Sequence, residues 1–123
     1  GHTRTSTYIT DLTDTISNIP NNFKPGEVYN IAGNDYHTIK EMSDEILKLT
    51  SGNEKLVSYE KEEKFTTLHK KVSCKKAIKD LNHNPKINLK TGLSRTVAWM
   101  KSIYIDKNNK NEIIKFLWSK YCV

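Results

Sequence analysis

Residues 26–46 read "GEVYNIAGNDYHTIKEMSDEI", and the fold turns on how this stretch divides. Pro25 and Gly26 supply turn chemistry, the run from Glu27 to Ile31 predicts a strand, and Gly33 predicts the next turn. Thr38 followed by Glu41 is a capping box: each side chain can satisfy a backbone N–H that the first helical turn leaves open. Behind it, Ile39, Met42, Ile46, Leu47 and Leu49 fall on or near one helix face. Ser51, Gly52 and Asn53 stop that helix.

The same stretch holds a tempting pair. Tyr36 precedes Lys40 by four residues, the spacing at which a lysine ammonium lowers the pKa of a phenol on the same helix and makes it a base. Thr38 breaks this geometry, because a helix capped at 38 holds Lys40 and excludes Tyr36. The chemistry would also need a nicotinamide. The five glycines stand at 1, 26, 33, 52 and 92, so no glycine-rich dinucleotide turn can be written. Tyr36 reads as a loop tyrosine packed on a helix start, and no complete catalytic site is expected in this chain.

Toward the N-terminus, "TRTSTYI" alternates polar with β-branched and aromatic residues and predicts a short strand. Leu12, Ile16 and Ile19 then recur at helical spacing, with Thr10 or Asp11 as cap and Pro20 as terminator. Toward the C-terminus, "KLVSYE" predicts a third strand and residues 61–71 a charged connection. Ser73 caps a predicted helix through Ala77, Ile78 and Leu81, which "NHNP" ends. Asn88 caps a longer one with Leu89, Leu93, Val97, Met100 and Tyr104 in register and Trp99 assigned to the core. Ile113, Ile114, Phe116, Leu117 and Trp118 crowd a last short helix, as part of the core or as an interface. The fold class is α+β: one helix-rich domain over 1–123 with about three short strands.

The chain has 123 residues, 36% of them hydrophobic and 28% charged, with a net charge of +6. That suits one soluble domain, able to bury about two thirds of its unfolded surface. No apolar run approaches the roughly 20 residues of a membrane helix, and "GHTRTSTYIT" has no signal core. Cys74 and Cys122 have no ligand or disulfide spacing and read as free thiols in a cytoplasmic protein, with no metal site. The positive charge favours anionic partners. It is carried almost wholly by dispersed lysines, with arginine only at 4 and 95, which argues against a nucleic-acid reader.

Three stretches, read in order, resemble the C-terminal part of the NAD-dependent epimerase/dehydratase family, the extended short-chain dehydrogenases that act on nucleotide sugars. "RTSTYITDLTDTI" is similar to the family's Arg-x-x-x-Tyr-Val-x-Asp segment, and "GEVYNIAGNDYHTIKEMSDEI" to its Gly-Glu-Val-Tyr-Asn-Ile-Gly-Gly segment. "FTTLHKKVSCKKAIKDLNHNPKINLKTGLSRTVAW" is similar to its Asp-x-Ser-Lys-Ala helix, proline turn and Gly-Leu-x-x-Thr-Val-x-Trp helix. The resemblance covers roughly residues 3–104, leaving 105–123 as a helical extension.

It implies a substrate-binding lobe without the Rossmann half that holds the NAD(P) and the catalytic tyrosine and lysine. Arg4 matches the family's diphosphate arginine, and a guanidinium fork suits phosphate oxygens. Asn30 matches an asparagine that either meets substrate or fixes the next turn. Where many members place a second arginine, within 61–71, this chain offers Lys61, Glu63, Lys64 and His69. Lys61 or Lys64 would act there as point charges. Asp11 reads as a cap. Ser73 stands in place of an aspartate, and His83 sits in a turn where many members have Gly-Trp. The expected partners are a nucleotide-diphosphate sugar and the missing Rossmann half or a second copy. An interaction module derived from the family is the alternative, and a basic nucleic-acid binder a lesser one.

Overall fold

The structure is a computed structural model that describes residues 1–61 and 64–104. The predicted last helix with Ile113, Ile114, Phe116, Leu117 and Trp118, the extension 105–123, Cys122 and Glu63 lie outside the described residues. The element order is β1 (Thr3–Thr5), α1 (Ile9–Asn22), β2 (Tyr36–Thr38), α2 (Ile39–Thr50), a 3-10 turn (Glu54–Leu56), α3 (Lys75–Leu81) and α4 (Leu89–Tyr104). β1 and β2 pair antiparallel, Thr3 with Thr38, Arg4 with His37 and Thr5 with Tyr36. α2 packs on α4, and α1 on α3.

The capping box at 38–41 forms as expected. The Glu41 N–H donates to Thr38 Oγ1 at 3.0 Å, and the Thr38 N–H donates to Glu41 Oε2 at 2.7 Å. Ser51 takes the left-handed conformation, φ 53°, and ends α2 where the sequence placed the stop. The backbone N–H of Thr38, and then its hydroxyl, hold the Glu41 carboxyl below the usual carboxylate range. A group depressed in this way stabilises the fold above its unfolded pKa, and that contribution disappears as pH falls through the folded one. Thr38→Ala is expected to cost about 1 kcal/mol at neutral pH and to lose less on acidification than the unaltered chain. Circular-dichroism melts at pH 7 and pH 3 check both parts; the backbone N–H at position 38 survives the substitution, so only the hydroxyl's share of the acid loss should go, and a larger acid loss in Thr38→Ala would contradict the assignment.

Two strands form among the described residues where about three were expected. Glu27–Ile31 runs extended but has no ladder partner, and Val28 is 80% exposed. The stretch at "KLVSYE" is a 3-10 turn, begun by Asn53 Oδ1 accepting from the Lys55 N–H at 2.9 Å, followed by irregular chain. Strand propensity without a neighbouring edge gives extended chain and no sheet. Tyr36, expected in a loop, instead opens β2.

Helix starts also differ. α1 begins after Tyr8, with no side-chain cap, and runs past Pro20 to Asn22. Asp11 does not cap it, because its carboxylate crosses to accept the N–H groups of Lys86 (3.1 Å) and Ile87 (3.0 Å). α3 begins after Cys74, not Ser73. Asn88 caps α4 as predicted, accepting from the Thr91 N–H at 2.8 Å, and Asp35 takes the Leu89 N–H at 2.5 Å. Gly92 lets α4 approach the start of α1, since a Cβ there would lie 3.3 Å from the Tyr8 ring.

Trp99 is not core: it is 55% exposed and meets Tyr104 edge-on at 5.8 Å. The half-buried stripe of α4 runs Leu89, Leu93, Val97, Met100 and Tyr104, and Trp99 sits about 100° around the helix from Met100.

The interior is unusually polar. Among the described residues the buried hydrophobic side chains are Ala32, Ala77 and Leu81, and they share the inside with Asp11, Thr15, His37 and His83. α1 shows why. Its inward stripe is Asp11, Thr15 and Asn18, each hydrogen-bonded to the 81–87 turn region: Asp11 as above, Thr15 Oγ1 to His83 Nδ1 at 2.7 Å, and Asn18 Nδ2 to the Leu81 carbonyl at 3.2 Å. His83 Nε2 reaches the Ala32 carbonyl at 2.7 Å. A carbonyl only accepts, so Nε2 carries a proton.

Candidate functional site

β1 lies between two neighbours. β2 is on one side. On the other, the Thr3 N–H donates to the Leu68 carbonyl at 2.8 Å and the Lys70 N–H donates to the Thr3 carbonyl at 3.2 Å, a parallel bridge between Thr3 and His69. This joins the N-terminal strand to the end of the charged connection 61–71, some sixty-five residues away in sequence.

The Arg4 guanidinium sits at this junction, half-buried, with Nη1 donating to the carbonyls of Thr3 (2.7 Å) and Leu68 (3.1 Å). Two backbone oxygens therefore orient the fork, whose paired N–H donors suit two oxygens of a phosphate. Lys61 and Lys64 are exposed on the approach to the junction. Asn30 lies apart, exposed on the extended segment after α1, and the hydrogen bonds that hold Arg4 do not reach it.

On the opposite face of the strand pair a cluster appears that sequence spacing did not single out. Thr3 Oγ1 lies 2.5 Å from the Tyr36 hydroxyl and 2.8 Å from His69 Nδ1. The Lys71 ammonium stands 5.8 Å from the centre of the Tyr36 ring. A cleft of about 430 Å³ opens beside it, lined by Thr5, Tyr36, Lys71, Ser73 and Lys75 among others and by no carboxylate. The one signal in the sequence was the matched alternation of "HTRT" and "YHT", which puts Thr3 and Tyr36 on one face.

This arrangement removes Tyr36 and Lys40 from any joint role. The phenol is bonded to Thr3 and lies in β2, whereas Lys40 in α2 pairs with Asp44 at 2.7 Å. That bond holds the Lys40 ammonium above its ordinary pKa, its charge committed to Asp44 and not to the phenol. The described glycines do not form a dinucleotide turn either. Gly26 is in a turn, Gly33 packs where a Cβ would strike the Ser6 carbonyl, Gly52 follows α2 and Gly92 is inside α4. None opens a helix behind a strand, as a pyrophosphate cradle requires. Among the described residues no three His, Cys, Asp or Glu side chains form a metal cluster, and no helix is long and apolar enough to cross a membrane.

No family model matches the sequence. The chain is 24% identical over 119 residues to human dTDP-D-glucose 4,6-dehydratase, covering 92% of this chain and 34% of that enzyme. Its fold superposes on dTDP-glucose 4,6-dehydratase of Bacillus anthracis, solved with NAD, with a TM-score of 0.73 at 25% identity. These relatives are enzymes of the NAD-dependent epimerase/dehydratase family, to which the chain is similar. That superposition covers 83% of this chain and 32% of the Bacillus anthracis enzyme. UDP-glucuronic acid 4-epimerase of Bacillus cereus, solved with NAD, shares the fold at a TM-score of 0.67 and 24% identity, over 84% of this chain and 32% of the epimerase. The Bordetella bronchiseptica enzyme WbmF, solved with NAD+ and UDP, shares it at 0.68 and 22%, over 95% of this chain and 32% of its own. The chain thus spans about a third of the length of the relatives it matches.

Proposed function

We propose that this chain is the nucleotide-diphosphate-sugar-binding part of an NAD-dependent sugar-nucleotide dehydratase or epimerase, working in the cytoplasm and without redox chemistry of its own. The observation that carries this reading is Arg4. It stands where the family resemblance puts a diphosphate arginine, and the Leu68 carbonyl ties it to a connection that carries Lys61, Lys64, His69, Lys70 and Lys71. In this reading Arg4 grips the diphosphate and Lys61 and Lys64 add point charges. Asn30 meets the nucleotide or sugar from the neighbouring segment. The hydride chemistry belongs to NAD(P) on residues outside this match.

The test is a titration of the labelled chain with dTDP-glucose, UDP-glucose and GDP-mannose, following backbone amide resonances. We expect shifts that saturate in the millimolar range or below at Arg4, Leu68 and Asn30, with a nucleotide preference. Unmoved resonances at several millimolar of all three would falsify binding by this chain.

A second reading, an interaction module, is favoured by one observation. Ile9, Ile16 and Phe23 of α1 and its C-terminal cap stand 58%, 48% and 52% exposed. The two readings are compatible, because a lobe that needs the rest of an enzyme must present a surface to it.

A further inference from the structure

The cleft beside Tyr36 has a chemistry that the Arg4 site does not use. Residues 64–79 carry six lysines and no carboxylate, and two of those lysines, Lys71 and Lys75, line the cleft. Among the described residues neither is paired with a carboxylate, whereas Lys24, Lys40, Lys48 and Lys76 are. Two unpaired ammoniums on one concavity repel each other, and an anion placed between them turns that repulsion into attraction. The walls are fixed before anything enters. On one side Asn34 Nδ2 donates to the Pro85 carbonyl at 3.0 Å and the Gly33 N–H donates to Thr7 Oγ1 at 2.9 Å. On the other, the Cys74 thiol reaches the Ala32 carbonyl at 3.7 Å. Both walls thus belong to one framework, and little order has to be created on binding.

Tyr36 ends a row of hydrogen bonds at this cleft. Thr3 Oγ1 stands between the Tyr36 hydroxyl at 2.5 Å and His69 Nδ1 at 2.8 Å, and Thr3 has one hydroxyl proton to give. When Nδ1 donates to Thr3, Thr3 donates to the phenol oxygen, and the phenol keeps its own proton for a ligand. The phenol is then a donor beside the Lys71 ammonium, which stands 5.8 Å from the ring centre. Ammonium and hydroxyl donors with no carboxylate among them suit a tetrahedral oxyanion. A volume of about 430 Å³ lies in the range of small-molecule sites and leaves room beyond the anion for the body that carries it. We propose that this cleft binds a small phosphomonoester, with Lys71, Lys75 and the Tyr36 phenol on the phosphate and the hydroxyls of Thr5 and Ser73 on the attached body. Successive side chains of a strand point to opposite faces, so Arg4 lies across β1 from Thr3 and Thr5. The site therefore stands apart from the proposed diphosphate grip and does not depend on it.

Titration of the labelled chain with glucose 6-phosphate, inorganic phosphate and glucose, without any nucleotide sugar, tests this by where the resonances move. Saturable shifts at Tyr36, Lys71, Ser73 and Lys75 are expected in the low-millimolar range with glucose 6-phosphate, weaker ones with inorganic phosphate and none with glucose. Lys71→Gln and Lys75→Gln are each expected to weaken binding about fivefold, the upper end for an exposed ion pair. Tyr36→Phe should weaken it about threefold or more, as the loss of one hydrogen bond to a charged group requires. Lys79→Gln, at an exposed position of α3 outside the cleft lining, should leave it unchanged. Unmoved cleft resonances at several millimolar of both phosphates overturn the proposal, and so do shifts confined to Arg4 and Leu68. A loss from Lys79→Gln equal to that from Lys71→Gln also overturns it, since the effect would then be one of overall charge. Equal affinity for inorganic phosphate and glucose 6-phosphate overturns the phosphomonoester and leaves the cleft to free phosphate.

Discussion

Replacing His83 by leucine is expected to cost about 2–4 kcal/mol of folding stability. His83 is buried and joins three segments: Nδ1 meets Thr15 of α1 at 2.7 Å, Nε2 meets the Ala32 carbonyl at 2.7 Å, and its own N–H closes α3 through the Ala77 carbonyl at 3.2 Å. Leucine fills much of the volume but leaves the buried Ala32 carbonyl with only the weak Cys74 thiol donor at 3.7 Å. The Thr15 hydroxyl retains the Asp11 carbonyl, 2.9 Å away, as an alternative acceptor, so most of the loss falls on the Ala32 side. A domain of this size has about 5–15 kcal/mol to lose. Urea unfolding followed by circular dichroism gives the number, and His83→Gln, whose amide can still donate to Ala32, should recover part of it. A loss under about 1 kcal/mol for leucine would show that solvent reaches the site.

Arg4→Ala is expected to weaken nucleotide-diphosphate-sugar binding by roughly 10- to 100-fold, the worth of a charge-assisted bond to phosphate. Arg4→Lys should fall between, since an ammonium keeps the charge and loses the fork. Because Nη1 also braces the Leu68 carbonyl, the variants need a stability control. The bridge between Thr3 and residues 68–70 has its own backbone bonds, so unfolding free energy should change by no more than about 1 kcal/mol. Equal affinity in the native and Arg4→Ala chains, measured by calorimetry, would remove Arg4 from the site.

Local signals were legible wherever the deciding contacts are close in sequence. The capping box at Thr38 and Glu41, the stop at Ser51 and the Asn88 cap are each settled within four residues, and all three appear where the sequence put them. What the sequence hid depends on distant partners. Asp11 looked like a cap because nothing nearby announces the Lys86 and Ile87 N–H groups that claim it. Glu27–Ile31 has strand residues, but a ladder is a property of two segments, and the second is missing among the described residues. Trp99 was placed on the apolar face of α4 and so in the core, but it stands about 100° around the helix from Met100 and is 55% exposed. The strand that carries Arg4 was readable and forms as β1; the Thr3, Tyr36, His69 and Lys71 cluster was not, because a parallel bridge across the chain assembles it.

The bonded inner stripe of α1 has a further consequence. Oily contacts let a helix roll about its axis or slide by a turn and find another comfortable fit, whereas Asp11, Thr15 and Asn18 each demand a partner at a fixed angle. They work like the teeth of a key, setting the azimuth of α1 before anything touches its other side. A helix keyed in this way presents its exposed side chains, Ile9, Ile16 and Phe23, at an angle that is already decided.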